Sequence, residues 1–164
     1  VVSALRAVHL RELKSWQADL IRLKEEDATW DWARIVHELR SDMAASERRY
    51  EFYGLVAERE LQGAKILETA GHTSRLRSRP LVYVEYIATA VWNRPIAATG
   101  QPVHYKGVGS ALIAVAISRS SSLGRGGRVG LHSKPGAFSW YLKRGFRDYG
   151  PDSTEGDFPY MELE

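Results

Sequence analysis

The sequence predicts a mixed α/β layer fold, a sheet flanked by helices, and three observations predict it. Two amphipathic helical stretches open the chain. One long apolar run, 81–91, follows two shorter extended segments. From Gly107 onward helical and extended patterns alternate to the end. The resulting order is α-α-β-β-β-α-β-α-β-β, in one domain spanning 1–164.

Each element has a local reason. Residues 6–25 place Val8, Leu13, Trp16, Leu20 and Leu23 at helical spacing, with charged residues between them. Residues 25–32 form a connector of three acids and two tryptophans, in which Thr29 or Asp31 is suited to cap the next helix. That second helix carries Trp32, Ile35, Val36, Leu39 and Met43 and runs to about Arg48. Residues 50–57 and 62–69 read as a hairpin about Glu58-Arg59-Glu60-Leu61. A polar, basic loop, 71–79, precedes the 81–91 run, whose apolar residues on both faces suit the middle of a sheet. A loop over 92–106 leads to a helix that begins after Gly109 and ends near Leu123, where Gly124-Arg125-Gly126-Gly127 stops it. Residues 128–132 read as a short strand. Pro135 opens a last helix that Gly145 closes, and 146–149 and 160–163 read as strands joined by an acidic loop.

Composition narrows the function classes. The chain has 164 residues, enough for a full core, and no apolar run long enough to span a membrane. No charged-then-apolar leader is visible, and the start at Val1 leaves room for residues before it. The absence of cysteine excludes disulfides, thiolate metal sites and a Cys nucleophile, and fits a cytoplasmic setting. A net charge of +3 is compatible with a phosphate-bearing ligand or RNA and diagnostic of neither. The five histidines, His9, His37, His72, His104 and His132, show no ligand spacing, so no metal is expected.

The stretch His104-Tyr105-Lys106-Gly107-Val108-Gly109-Ser110-Ala111-Leu112 puts two glycines where a loop enters a helix. Free N–H groups and the positive end of a helix dipole would face an anion there. A plain Gly-containing turn is the other reading. After a central strand, this stretch is followed by a helix, a short strand and Lys134-Pro135-Gly136-Ala137-Phe138-Ser139-Trp140-Tyr141-Leu142-Lys143-Arg144-Gly145-Phe146. In this order and spacing the second half, about 50–163, resembles the GNAT family of acyl-CoA-dependent N-acetyltransferases. His104 departs from the family's Gln or Arg, Lys134 departs from its Asn, and the 92–106 loop is longer than typical. A clear first strand is missing, with 1–5 as its remnant.

The resemblance implies a mostly antiparallel sheet, splayed in the middle to hold acetyl-CoA. Pantetheine would lie along Ile87, Ala88 and Thr89, and the pyrophosphate on Lys106, Gly107, Val108, Gly109, Ser110 and Ala111. Glu85, a carboxylate on an apolar strand, is the candidate general base, on a face shared with Ile87 and Thr89 by period two. A buried Glu paired with an Arg of the 75–79 loop is the alternative. Tyr141 matches the family's general acid, with a core aromatic as the alternative. Glu25, Glu26 and Asp27, with Trp30 and Trp32, would line an acceptor pocket favouring cationic amines, or form an exposed acidic turn above core tryptophans. The expected activity is acetyl transfer to a primary amine of a small molecule or peptide, with no membrane partner and a homodimer compatible. A non-catalytic CoA-binding module and a toxin-type acetyltransferase acting on aminoacyl-tRNA are the alternatives.

Overall fold

The structure is a computed structural model that describes residues 1–96 and 100–164. The middle of the 92–106 loop, 97–99, lies outside the described residues. In chain order the elements are β1 (Val2–Ala4), α1 (Ala7–Arg22), α2 (Trp32–Ala45), β2 (Arg49–Ala57), β3 (Glu60–Ala70), β4 (Val82–Thr89), α3 (Val108–Ser122), β5 (Val129–His132), α4 (Pro135–Leu142), β6 (Arg147–Asp152) and β7 (Phe158–Leu163). The strands form one seven-stranded sheet in the order β1-β2-β3-β4-β5-β7-β6. Every neighbouring pair is antiparallel except β4 with β5. The short segment at the N-terminus is thus a true first strand, pairing Val2 with Leu55 at the sheet edge.

The layers follow the apolar pattern. Leu13, Trp16 and Leu20 of α1 and Ile35 and Val36 of α2 pack with Leu61, Ala64, Ile66 and Ala88 on one face of the sheet. Ile113 and Ala116 of α3 and Tyr141 of α4 pack with Val82, Val84, Val129 and Leu131 on the other. Asp31 is the cap of α2, its carboxylate accepting from Arg34 N at 3.1 Å. The β2–β3 turn is tighter than its sequence suggests. Glu58 and Arg59 both take positive φ, 51° and 68°, and β3 begins directly at Glu60.

Two irregularities of β4 shape the site. Its parallel pairing with β5 covers Val82 to Val84 only, so β4 runs on to Thr89 with no strand on that side. Opposite β3, Leu67 pairs with Val84 and Ile66 with Tyr86, which leaves Glu85 as an extra residue in a bulge.

Candidate active site

The opening between β4 and β5 is the floor of a cavity of about 880 Å³. Ile87, Ala88 and Thr89 line it from β4, Lys106 to Ser110 from the start of α3, Tyr141 from α4, and Glu25, Glu26, Asp27 and Trp30 from the α1–α2 connector. The strand register gives β4 a polar edge here. Ala90 N donates to Gln62 O at 2.9 Å, and the same register opposes Ala88 to Ala64. Alternation along the strand then turns the backbone groups of Ile87 and Thr89 toward the opening. Arg94 occupies the Thr89 carbonyl, donating from Nη2 at 2.7 Å.

At the α3 end, Gly107 is the N-cap residue, with φ 84°. Only glycine adopts that conformation without strain, and it lets the chain turn into the helix at Val108, two residues earlier than the sequence suggests. Val108, Gly109 and Ser110 therefore carry the first free N–H groups of a 15-residue helix. Ala111 does not belong to the cradle, because its N–H is spent on Gly107 O at 2.9 Å inside the helix. Gly109 is small for a different reason: a Cβ there would sit 3.3 Å from Trp140 Cζ2. Arg144, which sequence reasoning passed over, stacks over Trp140 with its guanidinium carbon 3.5 Å from the ring centroid. It also donates to Ser110 Oγ at 3.0 Å. With Lys106 it gives the helix end a positive rim, and its place directly before Gly145 in the last motif is the signal that was available.

His104 does not line the cavity, and its backbone N donates to Trp92 O at 3.0 Å. Lys134 does line it, and donates from Nζ to Glu26 O at 3.0 Å while facing Trp30 and Phe158. Arg125 and Arg128, beyond the far end of α3, donate to the carbonyls of Leu81 and Pro80.

Tyr141 is 6% exposed and lines the cavity between Trp140 and Phe146. Among the described residues its hydroxyl has no hydrogen-bond partner. Burial pushes its pKa well above the usual tyrosine value, so it holds its proton at neutral pH.

Glu85 is on the other side of β4 from the one its spacing suggests. Ile87 packs with the α3 layer, whereas the bulge residue Glu85 comes out beside Glu68 and His72, next to the α1–α2 face. The extra residue breaks the period of two on which the shared face depended. Glu85 follows immediately on the last β4–β5 pair, Val84 with Leu131, so it marks the apex of the opening without lining the cavity itself. Burial first, and the Glu68 carboxylate second, push its pKa up to about 7. Two of the three arginines of the 75–79 loop are engaged elsewhere: Arg75 pairs with Asp152, and Arg77 with Glu164.

The acidic connector is not a free anionic surface. Arg94 pairs with Glu25 at 2.9 Å and with Asp27 at 2.6 Å, the Arg94 side chain being 14% exposed. Glu26 accepts from Gly136 N at the start of α4 at 3.2 Å. All three carboxylates reach the cavity, but each is held by a donor of this chain, so none is a free charge to select a cationic amine. Trp30 lines the cavity and packs edge-on to Tyr86 at 5.0 Å. Trp32 does not; it is 6% exposed and joins the core.

His132 ends β5 in a hydrogen-bonded chain. Its Nδ1 lies 2.6 Å from the Tyr83 hydroxyl and its Nε2 3.3 Å from Asp152 Oδ2. The nearby Glu68–His72–Glu85 group is the largest surprise against the sequence, since its ligand atoms lie within 4.8 Å of one another. A four-residue spacing across a turn and a residue in a bulge do not announce themselves in a linear pattern.

Comparison with protein-family models finds no match for the sequence, and comparison with curated proteins finds none either. Solved structures do match. The PaiA N-acetyltransferase of Thermoplasma acidophilum in complex with coenzyme A aligns with a TM-score of 0.63 at 18% identity, over 100% of this chain and 98% of that one. The ribosomal-protein-S18-alanine N-acetyltransferase of Escherichia coli gives 0.57 at 15% identity, over 99% and 90%. The Bacillus subtilis N-acetyltransferase YlbP in complex with coenzyme A gives 0.60 at 14% identity, over 100% and 95%. The chain therefore has the GNAT acetyltransferase fold, a splayed mixed sheet flanked by four helices. No helix among the described residues is long and apolar enough to cross a membrane.

Proposed function

We propose that the chain is an acetyl-CoA-dependent N-acetyltransferase that transfers the acetyl group to a primary amine by direct attack. One observation carries this reading. A single cavity joins the start of α3, with its free N–H groups, to the unpaired edge of β4 and to Tyr141, and Glu85 stands just outside its lining, at the apex of the sheet opening. Val108, Gly109 and Ser110, with Lys106 and Arg144, would hold the pyrophosphate. Ile87 would pair with the pantetheine backbone, which brings the thioester to the apex. Glu85 takes the proton of the incoming amine, whose nitrogen attacks the thioester carbonyl carbon. The C–S bond then breaks, and Tyr141 gives its proton to the departing thiolate. No cysteine is present to carry the acetyl group on the protein, which favours transfer in one stage.

Lys106→Glu tests the cradle. Lys106 is exposed and lines the cavity just before α3, so the substitution reverses a charge at the helix end without straining Gly107. Calorimetry with CoA should show affinity reduced at least roughly tenfold, from charge repulsion at the dipole. Undiminished affinity would remove the pyrophosphate from α3. Tyr141→Phe tests the acid. It should lower kcat by about 100-fold with CoA affinity nearly unchanged, and a thiol-release assay reads the first while calorimetry reads the second. Full activity in this variant would leave a CoA-binding fold whose acid is some other group.

A further inference from the structure

We propose that Glu68, His72 and Glu85 form a binding site for a divalent transition ion such as Zn²⁺, set at the apex of the sheet opening. One ligand atom from each lies within 4.8 Å of the other two. His72 Nε2 and Glu68 Oε2 are already 2.9 Å apart. That is the spacing of two ligands about 90° apart around an ion at roughly 2.1 Å, the usual Zn–N and Zn–O distance. Two carboxylates and an imidazole suit such an ion, and leave its remaining positions to water.

The site is built, not a chance meeting of surface acids. Glu68 is 1% exposed, yet its Oε1 is the buried side-chain atom without a hydrogen bond among the described residues. The nearest cation, Arg48 Nε, stands 3.5 Å away on a side chain that is 55% exposed. Gly71 makes the closure possible. At φ 118° it folds the end of β3 back over Glu68, and a Cβ there would clash with Glu68 Oε1. His72 is held in place by stacking on Tyr83, ring centroids 4.2 Å apart and planes within 15°. Glu85 is presented by the bulge in β4. The His72 side chain is 31% exposed, so an ion has a path from solvent. The two carboxylates repel each other in a desolvated place, and a cation between them relieves that repulsion.

Binding itself is independent of the proposed reaction. Its consequence is not: an ion on Glu85 occupies the lone pair assigned to the amine proton, so acetyl transfer would be inhibited. The test uses protein stripped with a chelator and titrated with Co²⁺, followed by absorption, and with Zn²⁺, followed by calorimetry. The expected result is one ion per chain. Glu68→Gln and His72→Ala should each weaken binding at least tenfold, while His104→Ala binds as the unaltered protein does. The Zn²⁺ concentration that halves acetyl transfer should rise by the same factor in His72→Ala. Absence of stoichiometric binding, or equal binding by Glu68→Gln and His72→Ala with circular dichroism unchanged, overturns the site. Binding without any acetyl transfer would leave the site standing and remove only the enzymatic reading.

Discussion

Glu85→Gln should lower kcat/KM for acetyl transfer by about 100- to 1000-fold, the range a positioned general base contributes, while CoA affinity holds. The reasoning begins with the bulge. It takes a carboxylate off the α3 side of β4 and sets it at the apex of the opening, where water is scarce. Burial and the neighbouring Glu68 push its pKa up to about 7. The charged groups facing it are Glu68 and His72 at the end of β3, Glu155 in the β6–β7 connection and Arg48 before β2. The phenols of Tyr50, Tyr83 and Tyr86 also feel its charge. A base must be unprotonated to act, so kcat/KM should rise with pH through about 7, and this limb should vanish in Glu85→Gln. Glu68→Gln removes the second cause of the shift and should move the limb to lower pH. Stability runs the opposite way. Glu85 binds its proton more tightly folded than unfolded, so it destabilises the fold as pH rises from 4.5 toward 7. Glu85→Gln should therefore raise Tm more at pH 8 than at pH 5. A variant with full activity and an intact acidic limb would exclude Glu85 as the base.

The layers of the fold were legible in the sequence because they rest on periodicity. Leu13, Trp16 and Leu20 repeat at helical spacing and do form the buried stripe of α1. Gly107 and Gly109 do stand at the entry to α3. What was not legible depends on register and on long-range pairing. The face of Glu85 was misassigned because one inserted residue at a bulge reverses period-two reasoning, and nothing local in Val84-Glu85-Tyr86 marks it. The acidic connector invited a reading as a cationic-amine pocket because its partner, Arg94, comes from a loop 67 residues further on. Ala111 was counted with the cradle because the helix start was placed two residues late, after Gly109, and the start decides which N–H groups stay free. The Glu68–His72–Glu85 group joins two strands and a turn, so it exists only once β3 and β4 are paired.

Lys65→Met should stabilise the protein by on the order of 2 kcal/mol or more near pH 7, within the range seen when buried charged groups give way to apolar ones of similar volume. The gain should shrink steadily toward pH 10. Lys65 lies in β3 with its side chain fully buried beneath α3. Its Nζ donates to Leu112 O at 2.7 Å and sits 5.0 Å from the Tyr53 ring centroid. Burial pulls its pKa down to about 7, and the Glu51 carboxylate offsets only part of this. Between that value and 10.5 the unfolded chain holds a proton on Lys65 that the folded chain has given up. The folded state of the unaltered protein is therefore favoured as pH rises through this window, and the cost of burying Lys65 is fully felt below about 7. Methionine has similar length and nothing to titrate. Its loss of the hydrogen bond strands no group, because Leu112 O lies within α3, where the N–H four residues on can pair with it. Every other titrating group is common to both proteins, so the difference between their stabilities isolates Lys65. Urea unfolding of both from pH 6 to pH 10 should give curves that converge as pH rises. Parallel curves would mean that Lys65 keeps its proton in the folded protein, held by Leu112 O and the Tyr53 ring against the cost of burial.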